Sequence, residues 1–306
     1  MQLHPLPPKG TIGIMAPSSP VEKERLNRGV NYMQSLGYHV KVTESCTSSD
    51  NYLAGSAIQR AGELMDLIQD KNIDAIFFAR GGFGSAAMLP LLDYDIIAGA
   101  RKLLVGYSDI TALQWGIYAK TGLPSLSAGM PATDFDSEPV NPKFEESFWE
   151  FIETGKINYK LQVPSNRAHG NISGTSLPAT LSVATKLSGT PYFPDLRKTI
   201  PILEDVGESR HKVEGYLWQA RLSGWFDNAN ALILGDFAAP EKETFPDNPS
   251  LEKIFGRIFQ GINIPIIRNV PYGHIDNKIP FPLGVNLSLS FGSLVEISST
   301  ETLFDF

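Results

Sequence analysis

Three kinds of side chain in this sequence could together cleave an amide: one serine, one histidine and a pair of carboxylates. Ser108 stands in Gly106-Tyr107-Ser108-Asp109, behind the apolar run Leu103-Leu104-Val105. That run reads as a buried strand, and Gly106 permits a sharp turn after it. Ile110, Leu113 and Ile117 then recur at the spacing of a helix buried on one side. Lys120 and Gly122 mark that helix's end. A serine on a strand-to-helix turn holds its hydroxyl clear of the backbone, and the helix N-terminus favours negative charge beside it. This is the setting of a nucleophile elbow, although Ile110 stands where a Gly-x-Ser-x-Gly motif has its second glycine. The plainer reading is a serine that caps a helix.

A serine nucleophile requires a base, and the base an acid to orient it. Of the five histidines, His4 lies in a proline-rich opening and His39 in a strand. His169 and His211 have polar, loop-like surroundings. His274 is set among turn residues in Pro271-Tyr272-Gly273-His274, where a loop can hold it rigidly; it could equally be a loop histidine with one backbone hydrogen bond. Two carboxylates, Glu204 and Asp205, end the apolar run Ile200-Pro201-Ile202-Leu203. Side chains alternate along a strand, so only one of them can face a given cleft. Residue types alone do not choose between them.

The third candidate is the loop Arg80-Gly81-Gly82-Phe83-Gly84-Ser85. It lacks the Lys-Ser/Thr of a P-loop and the full dinucleotide fingerprint. Its glycines can make a tight turn, or bring bare amides against a ligand as oxyanion donors do. One cysteine, Cys46, excludes an internal disulfide, and the scattered histidines show no zinc-ligand spacing. The reading therefore contains no metal and no cofactor.

These residues need elements to position them. Residues 11–16, a helix over 21–36 and a strand over 38–42 make a β-α-β opening, which predicts a parallel sheet with right-handed crossovers. A helix over 57–69, a strand over 74–79 and a helix beginning at 88–92 continue it. The loops 17–20, 80–85 and 107–109 then collect at the carboxyl edge of the sheet, where such folds bind ligands. After a crossover over 136–168, with a short helix at 145–151, the chain changes character. A Ser/Thr/Gly-rich stretch (170–190) precedes short strands at 199–203 and 231–235 and a helical run at 213–223. Strands at 287–290 and 293–298 read as a hairpin joined at Phe291-Gly292. The expected organisation is an α/β nucleophile domain over 1–135 and a smaller, β-rich mixed domain over 169–306.

A net charge of −7, with 42% hydrophobic and 19% charged residues, gives no support to nucleic-acid or anionic-membrane binding. No apolar run is long enough for a membrane helix. The opening Met1-Gln2-Leu3-His4-Pro5-Leu6-Pro7-Pro8 lacks the pattern of a signal peptide, so a cytoplasmic location is expected.

The ordered motifs resemble the LD-carboxypeptidase family, which includes murein-recycling tetrapeptidases and microcin C immunity peptidases. They are Thr11-Ile12-Gly13-Ile14-Met15-Ala16-Pro17-Ser18-Ser19-Pro20, Tyr52-Leu53-Ala54-Gly55-Ser56, Arg80-Gly81-Gly82-Phe83-Gly84-Ser85, Leu92-Asp93-Tyr94-Asp95, Gly106-Tyr107-Ser108-Asp109-Ile110-Thr111, Leu203-Glu204-Asp205-Val206-Gly207-Glu208 and Pro271-Tyr272-Gly273-His274. The resemblance implies a flavodoxin-like N-terminal domain, a β-rich C-terminal domain and a homodimer. It implies a Ser108–His274–Glu204 triad, with Gly81, Gly82 and the Asp109 amide as oxyanion donors. The substrate would be a small murein tetrapeptide that loses its terminal D-alanine, with Arg80 a candidate for its carboxylate. An alternative within the family is cleavage of aminoacyl-nucleotide antibiotics, served by aromatic side chains such as Phe148, Trp149, Trp218 or Trp225. Outside it, a non-catalytic module could hold a small anion on the same loops. The chain departs from the family pattern at Gly174-Thr175-Ser176-Leu177 and Arg210-His211-Lys212-Val213-Glu214, where substrate or a domain interface could be contacted.

Overall fold

The computed structural model describes residues 1–239 and 247–306. The chain opens with β1 (Thr11–Met15), α1 (Lys23–Ser35), β2 (His39–Val42), α2 (Ala57–Gln69), β3 (Ala75–Phe78) and α3 (Tyr94–Ala100). β4 (Leu103–Val105), α4 (Thr111–Thr121), β5 (Ser125–Ser127) and α5 (Pro142–Thr154) follow. Strands β1 to β5 are parallel and stand in the order 2-1-3-4-5. That is the flavodoxin order, which reverses between β1 and β3. β3 and β4 are buried along their whole length, as strands covered by helices on both faces must be. The loops that leave β1, β3 and β4 meet at this edge, as expected.

The second half forms β6 (Asn158–Leu161), β7 (Gly170–Thr180), α6 (Leu181–Leu187), β8 (Thr199–Val206), α7 (Arg210–Leu222) and β9 (Leu232–Ala238). It continues with α8 (Leu251–Ile258), β10 (Ile266–Ile267), β11 (Phe281–Leu283), β12 (Asn286–Phe291) and β13 (Val295–Ser299). Its seven-stranded sheet runs β10-β9-β8-β7-β12-β13-β6. β7 to β10 are parallel, and β12, β13 and β6 are antiparallel. β11 leaves this half of the chain and pairs antiparallel with β5, extending the first sheet. The flavodoxin-like sheet joined to a mixed, β-rich half is thus the fold the chain forms.

Several local expectations are corrected. α4 is buried on all sides over Thr111–Ile117 rather than on one, because the C-terminal half covers its outer face. Trp115 donates its indole N–H to the Pro178 carbonyl (2.9 Å) and packs on Trp225 and Phe193. The 88–92 segment is part of a 3-10 stretch, Ser85–Leu91, that contains Pro90; α3 starts only at Tyr94, capped by Asp93. The stretch 170–190, given no element above, supplies the long strand β7 and α6. The β12–β13 register pairs Phe291 with Val295, so their turn spans three residues, closed by a Gly292 N–H to Leu294 carbonyl bond. His211 lies in the first turn of α7, not in a loop.

Candidate active site

Ser108 is the third residue after β4 and opens the 3-10 turn Ser108–Ile110 that runs into α4. The sharp turn falls on the serine itself: Ser108 has φ +66°, a left-handed conformation that costs a side-chain-bearing residue about 1–2 kcal/mol. Gly106 is not at positive φ, which corrects the expectation that it makes the turn. A Cβ there would press on Ile110 and on Phe78 of β3 (3.0 and 3.2 Å), so Gly106 provides clearance. Strain at a half-buried serine on a strand–helix turn is the mark of a nucleophile elbow, and a simple helix cap does not require it.

The loop after β3 lies directly against this serine. A Cβ on Gly81 would fall 2.7 Å from Ser108 Cβ, 2.8 Å from its Oγ and 3.3 Å from the Asp109 amide nitrogen. Gly82 has φ +125°, and a Cβ there would meet Ser19 Oγ at 2.2 Å. The turn is therefore tight, and the bare Gly81 backbone approaches the serine. The buried Asp109 carboxylate ties the loops together. It accepts from Ser18 Oγ (2.7 Å) and from the Ser85 amide (2.9 Å), while Ser85 Oγ donates to the Asp109 carbonyl (2.6 Å). Arg80 donates through Nε to the Gly81 carbonyl (3.2 Å) and through Nη1 to the Pro20 carbonyl (3.3 Å).

On the C-terminal side, His274 Nδ1 is 2.8 Å from Glu204 Oε2. Glu204 is fully buried, and Thr180 at the end of β7 donates its hydroxyl to the other carboxylate oxygen. Gly273, at φ +125°, lets the histidine loop close in, since a Cβ there would sit 2.7 Å from Glu204 Oε2. Opposite Glu204, β9 carries one extra residue: Leu203 pairs with Leu234 but Asp205 pairs with Phe237. Such bulges re-aim side chains beside functional sites. Burial pushes the His274 pKa down, but the Glu204 charge and hydrogen bond outweigh it, and the net direction is up. The ring of His274 lies on that of Tyr107 (centroids 4.8 Å apart), one residue from Ser108. Among the described residues no hydrogen bond joins Ser108 Oγ to His274.

The strand alternation separates the two carboxylates as anticipated. Asp205 points to the start of α6, accepting from the Ser182 amide (2.8 Å), Ser182 Oγ (3.0 Å) and the Val206 amide (3.0 Å). Burial and the adjacent Glu204 push its pKa up to about 6. The other histidines lie elsewhere: His4 approaches Asp305, His39 is exposed on β2, His169 precedes β7 in an exposed turn, and His211 faces Ser209 Oγ (3.1 Å).

Partners not picked out from residue types alone are Thr180, Tyr107 and the Asp134–Lys278 ion pair. Both members of that pair are nearly buried, and the Lys278 ammonium lies 5.3 Å from the Tyr107 ring centroid. A lysine closely following a candidate catalytic histidine, in a loop bounded by prolines, was the available signal. Among the described residues, no group of three or more His, Cys, Asp or Glu is placed to hold a metal ion. Nor is any helix long and apolar enough to cross a membrane.

Of the departures noted above, Ser176 is buried and donates to the Pro282 and Val285 carbonyls. That segment therefore serves the seam around β11. Phe148 and Trp225 are core residues. Trp149 stacks on Tyr38 and donates to Tyr32. Trp218 is 37% exposed on α7, beneath Arg221.

A flavodoxin-order sheet carrying a strained serine, joined to a mixed sheet whose buried Glu204 meets the loop residue His274, is a two-part architecture suited to hydrolysis. The LD-carboxypeptidase N-terminal domain model matches residues 12–128 and the LD-carboxypeptidase C-terminal domain model residues 173–289. The chain belongs to the LD-carboxypeptidase family, the S66 peptidases. It is 29% identical over 291 residues to the murein tetrapeptide carboxypeptidase of Pseudomonas aeruginosa, covering 91% of this chain and 92% of that protein. It is 28% identical to the microcin C7 self-immunity protein MccF of Escherichia coli, covering 97% and 95%. The wild-type apo structure of MccF superposes with a TM-score of 0.90 at 28% identity over the whole of both chains.

Proposed function

We propose that the chain is a serine carboxypeptidase that hydrolyses an L,D-amide and releases terminal D-alanine from a murein tetrapeptide. The observation that carries this is the His274–Glu204 pair lying beside the strained Ser108, with the bare Gly81 backbone against the serine. In this reading His274 Nε2 takes the Ser108 proton and the alkoxide attacks the scissile carbonyl. Amides at Gly82 and Asp109, with Gly81 backing the serine, hold the oxyanion; each such donor is worth about 3–4 kcal/mol in related sites. Glu204 accepts from Nδ1–H, fixes the tautomer and stabilises the imidazolium. His274 then protonates the leaving amine, and water resolves the acyl-enzyme. Arg80, with Nε and Nη1 on loop carbonyls, offers its remaining edge to the terminal carboxylate. The protein acts in the cytoplasm as a homodimer, without metal or cofactor.

The experiment is an assay on L-Ala-D-Glu-meso-diaminopimelate-D-Ala, following D-alanine. Release is expected from this peptide and not from its L-Ala-terminated analogue. Inverting the leaving residue forces its methyl into space shaped for hydrogen or lifts the carbonyl from its donors, and about 1 Å of displacement costs on the order of a hundredfold. Cleavage of an aminoacyl-sulfamoyl adenosine with no D-alanine release would assign the chain to the immunity-peptidase reading instead.

A further inference from the structure

Arg60 is the most unusual side chain outside the triad. It lies on α2, whose buried stripe is Arg60, Ala61, Leu64, Leu67 and Ile68. It is fully buried, and among the described residues no carboxylate forms an ion pair with it, although the Asp109 charge acts on it from nearby. Burying a guanidinium without a partner is expensive, and here backbone carbonyls replace water. Nε donates to Gly55 (3.1 Å), Nη1 to Gly84 (3.0 Å), and Nη1 also to Pro17. Nη2 is buried without a partner. These carbonyls belong to three different loops: the one leaving β1, the one entering α2 and the one leaving β3.

The Asp109 carboxylate holds two of the same loops through Ser18 Oγ and the Ser85 amide. The cation and the anion thus grip the two sides of one peptide unit, the Gly84 carbonyl and the Ser85 amide, and so fix the end of the Gly81–Ser85 loop. Gly81 lies against Ser108 and Gly84 against Arg60. A flat fork that spans several acceptors is something lysine cannot reproduce.

We propose that Arg60 is a positioning residue for the oxyanion site: its guanidinium fixes the Gly81–Ser85 loop at the distance from Ser108 at which the loop amides can hold a developing oxyanion. This rests on the serine-peptidase reading. The same clamp mounts the exposed Tyr52–Phe83 ring pair (5.7 Å), whose residues lie on two of the three loops.

The test compares Arg60→Lys and Arg60→Met with the wild type as purified full chains. It uses a fluorophosphonate, which bonds to Ser108 Oγ with loss of fluoride. Saturation kinetics separate probe binding from the bonding step, and amide hydrogen exchange reports on the loops independently of any chemistry. In the folded lysine variant, the bonding rate should fall about tenfold or more with probe binding changed less than threefold. Exchange protection should be lost at 82–85 and retained along β3 and β4. Arg60→Met should fall further, on the order of a hundredfold, as a displacement of about 1 Å would give. A folded variant with wild-type bonding rate and loop protection overturns the proposal. Failure of the wild type to react with the probe would sink the nucleophile assignment instead, and loop exchange alone would then decide the role of Arg60.

Discussion

Glu204 and His274, seventy residues apart, meet at 2.8 Å with the carboxylate fully buried and its second oxygen occupied by Thr180. Asp205, the next residue, faces away and caps α6. Glu204→Gln should therefore lower kcat by about three to four orders of magnitude, as loss of the orienting carboxylate does in serine peptidases. Asp205→Asn should lower kcat less than tenfold and act on thermal stability instead. Steady-state kinetics and melting curves of both variants check this; a more damaging Asp205→Asn would exchange the two roles.

The raised His274 pKa predicts an acid limb in kcat/KM with its midpoint above the ordinary imidazole value of 6.5, because the base must be neutral to accept the serine proton. Glu204→Gln removes both of the largest upward influences and leaves burial, which pushes down, so the midpoint should drop below that of the wild type. The stabilisation from the charged pair is complete below pH 6.5 and disappears as pH rises through the folded value. Titration of the His274 ring protons by NMR reads the shift directly. An unshifted midpoint in Glu204→Gln would show that the carboxylate does not control the imidazole.

The +66° φ of Ser108 predicts opposite behaviour for two inactive variants. Ser108→Ala removes the nucleophile and keeps the strain. Ser108→Gly removes both, and should be the more stable by about 1 kcal/mol. Urea unfolding of the pair measures this, and equal midpoints would mean that the turn is not strained.

Lys278 and Asp134 form a nearly buried ion pair behind Tyr107, the ring on which His274 rests. Lys278→Met leaves the Asp134 charge unpaired, so about 3–5 kcal/mol of stability should be lost. Adding Asp134→Asn should restore part of it. Because Lys278 lowers the His274 pKa, the single variant should also move the acid limb upward. Loss below 1 kcal/mol would show that the pair is not desolvated.

Burial pushes the Cys46 thiol up to about 12, and its Sγ lies 3.6 Å from the Ile14 carbonyl. Alkylation by iodoacetamide at pH 8 should therefore be negligible until the protein is unfolded, because the thiolate is the reacting species. Rapid labelling of the native chain, measured by mass spectrometry, would contradict this burial.

What the sequence by itself determined is local. Apolar runs of strand length, helix periodicity and stop signals set the parallel sheet and its three converging loops, with boundaries off by a few residues. The alternation of Glu204 and Asp205 established that only one of them could serve. The family motifs, in order, picked out Ser108, Glu204 and His274. Tertiary structure decided what depends on residues far apart. The 170–190 stretch shows no clear strand signal of its own because its glycines and serines do not favour strands. It becomes β7 because β8 and β12 pair with it on either side. α4 looked one-sided because nothing in its own sequence shows that Trp115 will meet Pro178. Arg60 carried a signal, a cation on a buried stripe, but its meaning required the three carbonyls that the fold brings to it. Burial and hydrogen-bond partnership are properties of the assembled chain, and they turn a serine, a histidine and two carboxylates into one candidate site and one cap.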